Sequence, residues 1–399
     1  MPLGHPYTRC MPSAPDPADS DPFHLPSAPT PLARTIAEQI RSTGPITFAD
    51  FMQRALYDPT LGYYRSGRTT VGREGDFLTS PELHPVFGYA VAMSAASIWD
   101  QLRRPPVFDL VDVGPGTGAL IAAAAHWIET QRSDLWRALR ITLVELSEAA
   151  QASQRKRLGN LSVPLEWLPE LPQGGNLNGL IVANELLDAQ PVHRLQWNAE
   201  GDWQELFVGL DGEGGFRDQP GAPSHPALLR RLKGVAAAEG QVVEVCALLP
   251  GLLVSLSASI GMGALLLFDY GYEHDQLYAP HRREGTLMTF RVHTPGDDPY
   301  RWVGEQDITC HIDLDFMLGS TRAVGLRALP FRSQAEWLLR MGALDSTLPT
   351  ELGSHLDDQL AQRRALERLT DPAGLGRIQV MGLRAEGVES LPGLEPDES

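Results

Sequence analysis

Lysine is almost missing from this sequence of 399 residues: it occurs only at Lys156 and Lys233, so nearly all the positive charge is arginine. Acidic residues outnumber basic ones 50 to 33, a formal net charge of −17, and this argues against a nucleic-acid partner, since phosphate contacts need clustered Lys and Arg. Cysteine is scarce too. Cys10, Cys246 and Cys310 are odd in number and far apart, which leaves no disulfide framework and suits a reducing compartment. No run approaches the ~18 apolar residues that span a bilayer. The segment 248–260 is interrupted by Pro250, Gly251 and three serines, and 263–268 has only strand length. Metal-ligand spacing is also lacking, because His311, Asp313 and Asp315 alternate along a strand-like run with no second ligand group of familiar spacing. Residues 1–30 lack an apolar pattern and read as disordered. They set Arg9 against Asp16, Asp19 and Asp21 and carry no secretory apolar region, so a cytoplasmic location in a bacterium is expected.

What is present is 43% hydrophobic residues, enough for a large core, and a length that suggests two or three units at ~150 residues per domain. The organising stretch is 108–128, FDLVDVGPGTGALIAAAAHWI. Phe108, Leu110, Val111 and Val113 form a short apolar run suited to a strand buried on both faces of a parallel sheet. Residues 119–128 are strong helix formers, and the free N–H groups of a first helical turn attract a carboxylate or phosphate. Between them lie Gly114, Pro115, Gly116, Thr117 and Gly118. A dinucleotide fingerprint needs G-x-G-x-x-G, and here the third glycine comes one residue early. With Asp112 the pattern is D-x-G-x-G-x-G, that of an S-adenosylmethionine loop. The chemistry agrees: one acid and a ring of backbone donors suit an ammonium and a carboxylate. A Gly-rich turn without a ligand is the bland alternative.

The remaining segments predict an α/β chain. Helices are expected from Leu32 and after Thr47, which pairs with Asp50 as a capping box, until Asp58, Pro59 and Gly62 break the second one before Tyr63 and Tyr64. The stretch 72–88 reads either as a loop capped by Ser80 or as a cover over a ligand, with Asp76 and Thr79 as the contacting residues. LRITLVEL at 139–146 is a second strand, whose end offers Glu145 and Leu146 to an adenosine. A short strand at 180–183 ends in Asn184 and Glu185, with Asp188 three residues on; if a helical turn starts there, both carboxylates share one face. Capping by Asn184 is the competing explanation. Alternation over 192–218 predicts an inserted β-hairpin, a candidate for partner contact or homodimer formation. The strand ALLLFDY follows with Asp269 at its end. The expected division is a disordered segment at 1–30, N-terminal helices and a covering loop at 31–105, a core in two parts at 106–191 and 263–384, an insertion at 192–262 and a disordered tail at 385–399.

Four segments together resemble the MidA-like family, to which the mitochondrial complex I assembly factor with protein arginine methyltransferase activity belongs. They are GREGDFLTSPELHPVFG, VDVGPGTGAL with LVELSEAAQASQRKRL, LIVANELLDAQPV, and LLLFDYGY followed by GTLMTFRVH and GEQDITCHIDLDF, in order over about 36–380. The resemblance implies a class I methyltransferase (Rossmann-like) sheet with helices on both faces, an N-terminal helical extension and an inserted subdomain. It also implies S-adenosylmethionine as donor and a protein arginine as acceptor, a respiratory complex subunit in the mitochondrial case. Thr117 departs from the pattern, since the family commonly carries a basic residue there. The expected roles are donor binding by Asp112, the loop 114–118, Glu145, Leu146, Asp76 and Thr79, and a grip on the acceptor by Asn184, Glu185 and Asp188. A small-molecule methyltransferase and an assembly factor without chemistry are the rival readings. A nicotinamide dehydrogenase has the wrong glycine spacing.

Overall fold

The apolar run at the head of the glycine loop forms the strand Phe108–Val113, all six residues of which are buried. A computed structural model of the protein describes residues 28–67, 79–343 and 356–396. In it, Phe108–Val113 runs parallel to Leu139–Val144 on one side and to Leu177–Asn184 on the other. Leu165–Leu168 and Ile260–Asp269 extend the parallel set at either edge, and Gln379–Arg384 closes it antiparallel to Ile260–Asp269. Two short strands, Arg327–Ala328 and Arg332–Ser333, complete an eight-stranded sheet.

Period-two alternation assigns the two faces. Leu110, Leu180, Val182, Leu266 and Phe268 join a core with the helices Val86–Gln101, Ala119–Gln131 and Gln334–Arg340. Val111, Ile181, Ala183, Leu265 and Leu267 face the helices Leu249–Ser259 and Leu314–Ala323. A doubly covered parallel sheet of this kind has one open rim, the carboxyl ends of its strands, where ligands of α/β folds gather. This is the class I methyltransferase arrangement, with helices on both faces.

A second sheet of five strands is built from the inserted segment, with His193–Trp197, Trp203–Leu210, Phe216–Gly221 and Val242–Val245. Its edge is taken by Ile46–Thr47 from the N-terminal region, paired with Val208 and Phe207. The helices Pro31–Thr43 and Phe48–Tyr57 pack on this sheet: Ile36, Phe48, Phe51 and Met52 share a core with Val192 and Val208. Thr47 caps the second of these helices, its hydroxyl accepting from Asp50 N at 3.0 Å. The helix Leu249–Ser259, within the span expected as insertion, lies on the large sheet instead.

Two local expectations are corrected. The tail expected to be disordered from Ala385 carries Val388, Leu391 and Leu394 into the core, each at most 4% exposed. Three apolar anchors in 388–394 supply the burial that disorder would require to be missing. Ser80 is not a helix cap: Thr79 holds the position before the helix Ser80–Leu83, and the Ser80 hydroxyl donates to Gln334 Oε1 at 2.8 Å. Among the described residues no helix is long and apolar enough to cross a membrane.

Candidate active site

The glycine loop leaves the rim at the centre of the sheet. Gly114, Gly116 and Gly118 have φ of +71°, +53° and +80°, values that favour residues without a Cβ. Gly118 sits at the N-cap of Ala119–Gln131 with no side-chain cap, so the first-turn N–H groups of that helix face the loop without a side-chain acceptor. Asp112, two residues before the loop, is 2% exposed, and its Oδ2 has no hydrogen-bond partner among the described residues. Burial, reinforced by the nearby Glu145 carboxylate, pushes the Asp112 carboxyl up to about 8. A buried carboxylate lacking a partner is costly, and a cation placed beside it would relieve that cost.

Glu145 stands at the end of the neighbouring strand, where the sequence places it. Its Oε1 accepts from Ser147 N at 2.7 Å and its Oε2 from Gln154 Nε2 at 3.1 Å; burial raises its pKa. Gln154 is the residue the sequence reading missed. It is fully buried in the helix Glu148–Leu158, and the same Nε2 donates to Gly116 O at 2.7 Å, so one amide ties the loop to the acid. Thr117 finds a basic partner in space: Arg157 Nη1 donates to its hydroxyl at 2.7 Å and to Glu82 Oε1 at 2.9 Å. The charge expected inside the loop is thus delivered from a helix 40 residues away.

Across the rim, the strand Leu177–Asn184 ends in a tight turn rather than the helical turn expected after Asn184. Glu185 adopts φ +51°, with its N–H donating to Phe268 O at 2.8 Å. The following N–H groups of Leu186, Leu187 and Asp188 all converge on Asp269 Oδ2, at 3.1, 2.6 and 3.3 Å. One buried carboxylate from the adjacent strand therefore replaces the hydrogen bonds a helix would have made. Asn184 does not cap; its Nδ2 donates to Glu185 Oε1 at 3.0 Å.

Four carboxyl groups crowd here. Glu185 is pushed up to about 8 and Asp269 to about 7, chiefly by burial, and Asp188 is raised by burial and by Asp269, Glu185 and Asp307. Such a concentration of acids favours a cationic ligand.

A cavity of about 320 Å³ joins the two regions. Asp112, the loop 114–117, Glu145 and Leu146 line one part; Asn184, Glu185, Ala189, Tyr57 and Tyr64 line another, with Thr79 at the cover. Gly118 lies behind the lining, where a Cβ would come 3.3 Å from Leu158. Asp188 is 5% exposed and lies behind Glu185, outside the lining, its carbonyl accepting from Cys310 N at 2.9 Å. Asp76 lies outside the described residues. His311, Asp313 and Asp315 do not converge: Asp313 caps Leu314–Ala323 and meets His274 Nδ1 at 2.9 Å, while Asp315 accepts from His274 N.

Comparisons with known proteins give the chain's relatives. A family model described as "Putative S-adenosyl-L-methionine-dependent methyltransferase" matches residues 90–331. The chain is 30% identical over 339 residues to "Protein arginine methyltransferase NDUFAF7, mitochondrial" of Mus musculus, covering 77% of this chain and 72% of that relative. Its Drosophila melanogaster homolog is 30% identical over 383 residues, covering 86% and 82%. Among solved structures, a Burkholderia thailandensis protein bound to S-adenosyl-homocysteine superposes with a TM-score of 0.83 at 30% identity, covering 93% of this chain and 97% of that one.

Proposed function

This chain belongs to the MidA-like family of class I S-adenosylmethionine-dependent methyltransferases, and from that premise we propose that it methylates an arginine side chain of a protein, a subunit of the respiratory complex I type. The observation that carries the reading is the single cavity in which an acid-rich turn faces the glycine loop. When bound, S-adenosylmethionine supplies an activated methyl group on a sulfonium. The unpartnered Asp112 and the uncapped helix start suit its ammonium and carboxylate, and Glu145 suits its ribose hydroxyls.

The chain's own task is positioning. Methyl transfer is an in-line displacement, so most of the rate comes from holding nucleophile and carbon ~3–3.5 Å apart and aligned. Arginine is a weak nucleophile because its lone pairs are delocalised over a charged plane. A carboxylate against one edge of that plane fixes its orientation and localises density on the attacked nitrogen. Glu185 is the group we assign to this contact: burial pushes its carboxyl up to about 8 in the ligand-free protein, so an approaching guanidinium would draw out its ionised form, with Asn184 holding its Oε1 and Asp188 completing the acidic turn behind it. Thr79, which lines the cavity, is the residue we assign to the cover over the donor. The names of the mitochondrial relatives support an arginine acceptor. The low cysteine content supports a reducing setting such as the bacterial cytoplasm.

The test is transfer from methyl-labelled donor to extracts of cells lacking the gene, with the modified residue mapped by mass spectrometry. Label on arginine that disappears with Glu185→Gln supports the reading; label on another side chain or on a small metabolite contradicts it.

A further inference from the structure

The sequence stretch 57–64, YDPTLGYY, forms a turn held by its own hydrogen bonds. It begins where the helix Phe48–Tyr57 ends. Asp58 Oδ1 accepts from Thr60 N at 3.0 Å and Leu61 N at 2.9 Å, and the chain then folds back, Tyr63 N donating to Ala55 O at 2.9 Å and Tyr64 N to Leu56 O at 3.0 Å. Gly62 is required for this path, since a Cβ there would lie 2.4 Å from Asp58 N. The fold-back lays the Tyr64 ring against Tyr57, with centroids 5.5 Å apart and planes 29° apart, and Tyr63 buttresses it edge-on at 5.0 Å. Both phenols are anchored: Tyr57 Oη donates to Ala189 O at 3.1 Å and Tyr64 Oη to Asp307 Oδ1 at 2.8 Å.

We propose that Tyr57 and Tyr64 form the specificity-determining wall of the acceptor subsite, presenting aromatic surface to a planar guanidinium whose edge meets Glu185. This rests on the arginine reading and explains how that side chain is selected over lysine. Both rings line the cavity together with Glu185 and Ala189. Their hydroxyls bond to Ala189 O, on the turn that carries Glu185, and to Asp307, and this puts the wall at the acceptor end. Guanidinium is flat and weakly hydrated and stacks on aromatic faces, whereas ammonium is a compact, strongly hydrated point charge. A carboxylate alone attracts both cations. Only the wall distinguishes them. Asp307 and the Ala189 carbonyl act as positioning groups, fixing the rings so that no ordering cost falls on binding.

The experiment is calorimetric titration of the full chain, saturated with S-adenosyl-homocysteine, with N-acetyl-arginine amide and N-acetyl-lysine amide. Wild type should prefer the arginine probe. Tyr57→Phe with Tyr64→Phe keeps the faces and should leave the arginine-to-lysine ratio at the wild-type value; Tyr57→Leu with Tyr64→Leu should lower it roughly tenfold, by weakening arginine alone. If the double leucine variant does not bind S-adenosyl-homocysteine, Tyr64→Leu alone carries the test with a loss of about threefold. A folded leucine variant with the wild-type ratio overturns the wall and leaves the arginine reading standing. A wild type that binds S-adenosyl-homocysteine but shows no preference for arginine overturns both.

Discussion

Replacing Asp112 with asparagine sets stability against donor binding. In the ligand-free protein the Asp112 carboxyl is raised from 3.8 to about 8, so at neutral pH the native state holds a proton that the unfolded chain releases. A carboxyl raised in this way contributes stability below its unfolded value and loses it as pH rises through the folded value. Between 3.8 and pH 7 the cost at 1.36 kcal/mol per unit reaches about 4 kcal/mol as an upper limit. Asparagine carries no such cost, so Asp112→Asn should raise stability by roughly 2–4 kcal/mol at pH 8 and by much less at pH 5. The same change removes the acid meant for the donor ammonium. A charge-assisted hydrogen bond contributes about 1.5–3 kcal/mol, a loss of roughly 10–100-fold in affinity for S-adenosylmethionine. Thermal melting across pH 5–9 and calorimetric titration on the same samples read both effects. A variant that is less stable than wild type at pH 8, or that binds the donor unchanged, refutes the argument from the unpartnered carboxylate.

Further predictions concern the neighbouring groups. Because Asp112 begins protonated near pH 7 and must be ionised to hold an ammonium, donor binding should release up to about one proton; titrations in buffers of differing ionisation enthalpy measure it, and affinity should rise from pH 6 to about pH 7.5 and level off as the donor's own α-amino group deprotonates at ~8. Glu185→Gln should lower kcat about 10²–10³-fold while leaving donor affinity unchanged, which single-turnover assays separate from binding. Asp269→Ala removes the acceptor of three backbone N–H groups and should cost roughly 3 kcal/mol in denaturant unfolding, with loss of transfer as the turn carrying Glu185 relaxes. Gln154→Leu should weaken donor binding without displacing Asp112, since it cuts the tie between Gly116 and Glu145.

The parts of this site that were legible in the sequence are those encoded by local pattern. The strand, glycine loop and helix at 108–131 are contiguous, so composition and glycine spacing reveal them, and Glu145 follows from its place at a strand end. Asn184 and Glu185 were found by the same rule. What stayed hidden depends on contacts between distant residues. Asp269 closes a turn 81 residues earlier, Gln154 reaches a loop 38 residues earlier and Tyr64 meets Asp307 across 243 residues. No periodicity records such pairings. The helical turn expected at Asp188 failed for this reason, because three N–H groups found a remote carboxylate in place of helical carbonyls. The N-terminal helices and the hairpin likewise look independent in sequence, yet Ile46 pairs with Val208 and joins them through one sheet.

The most direct test of the account is calorimetric titration of the purified protein with S-adenosylmethionine, with Gly116→Val alongside. Gly116 has φ +53° within the cavity lining, so a β-branched side chain there strains the loop and intrudes on the donor. The account predicts micromolar binding by the wild type that the variant loses while still folded; a wild type that does not bind contradicts it.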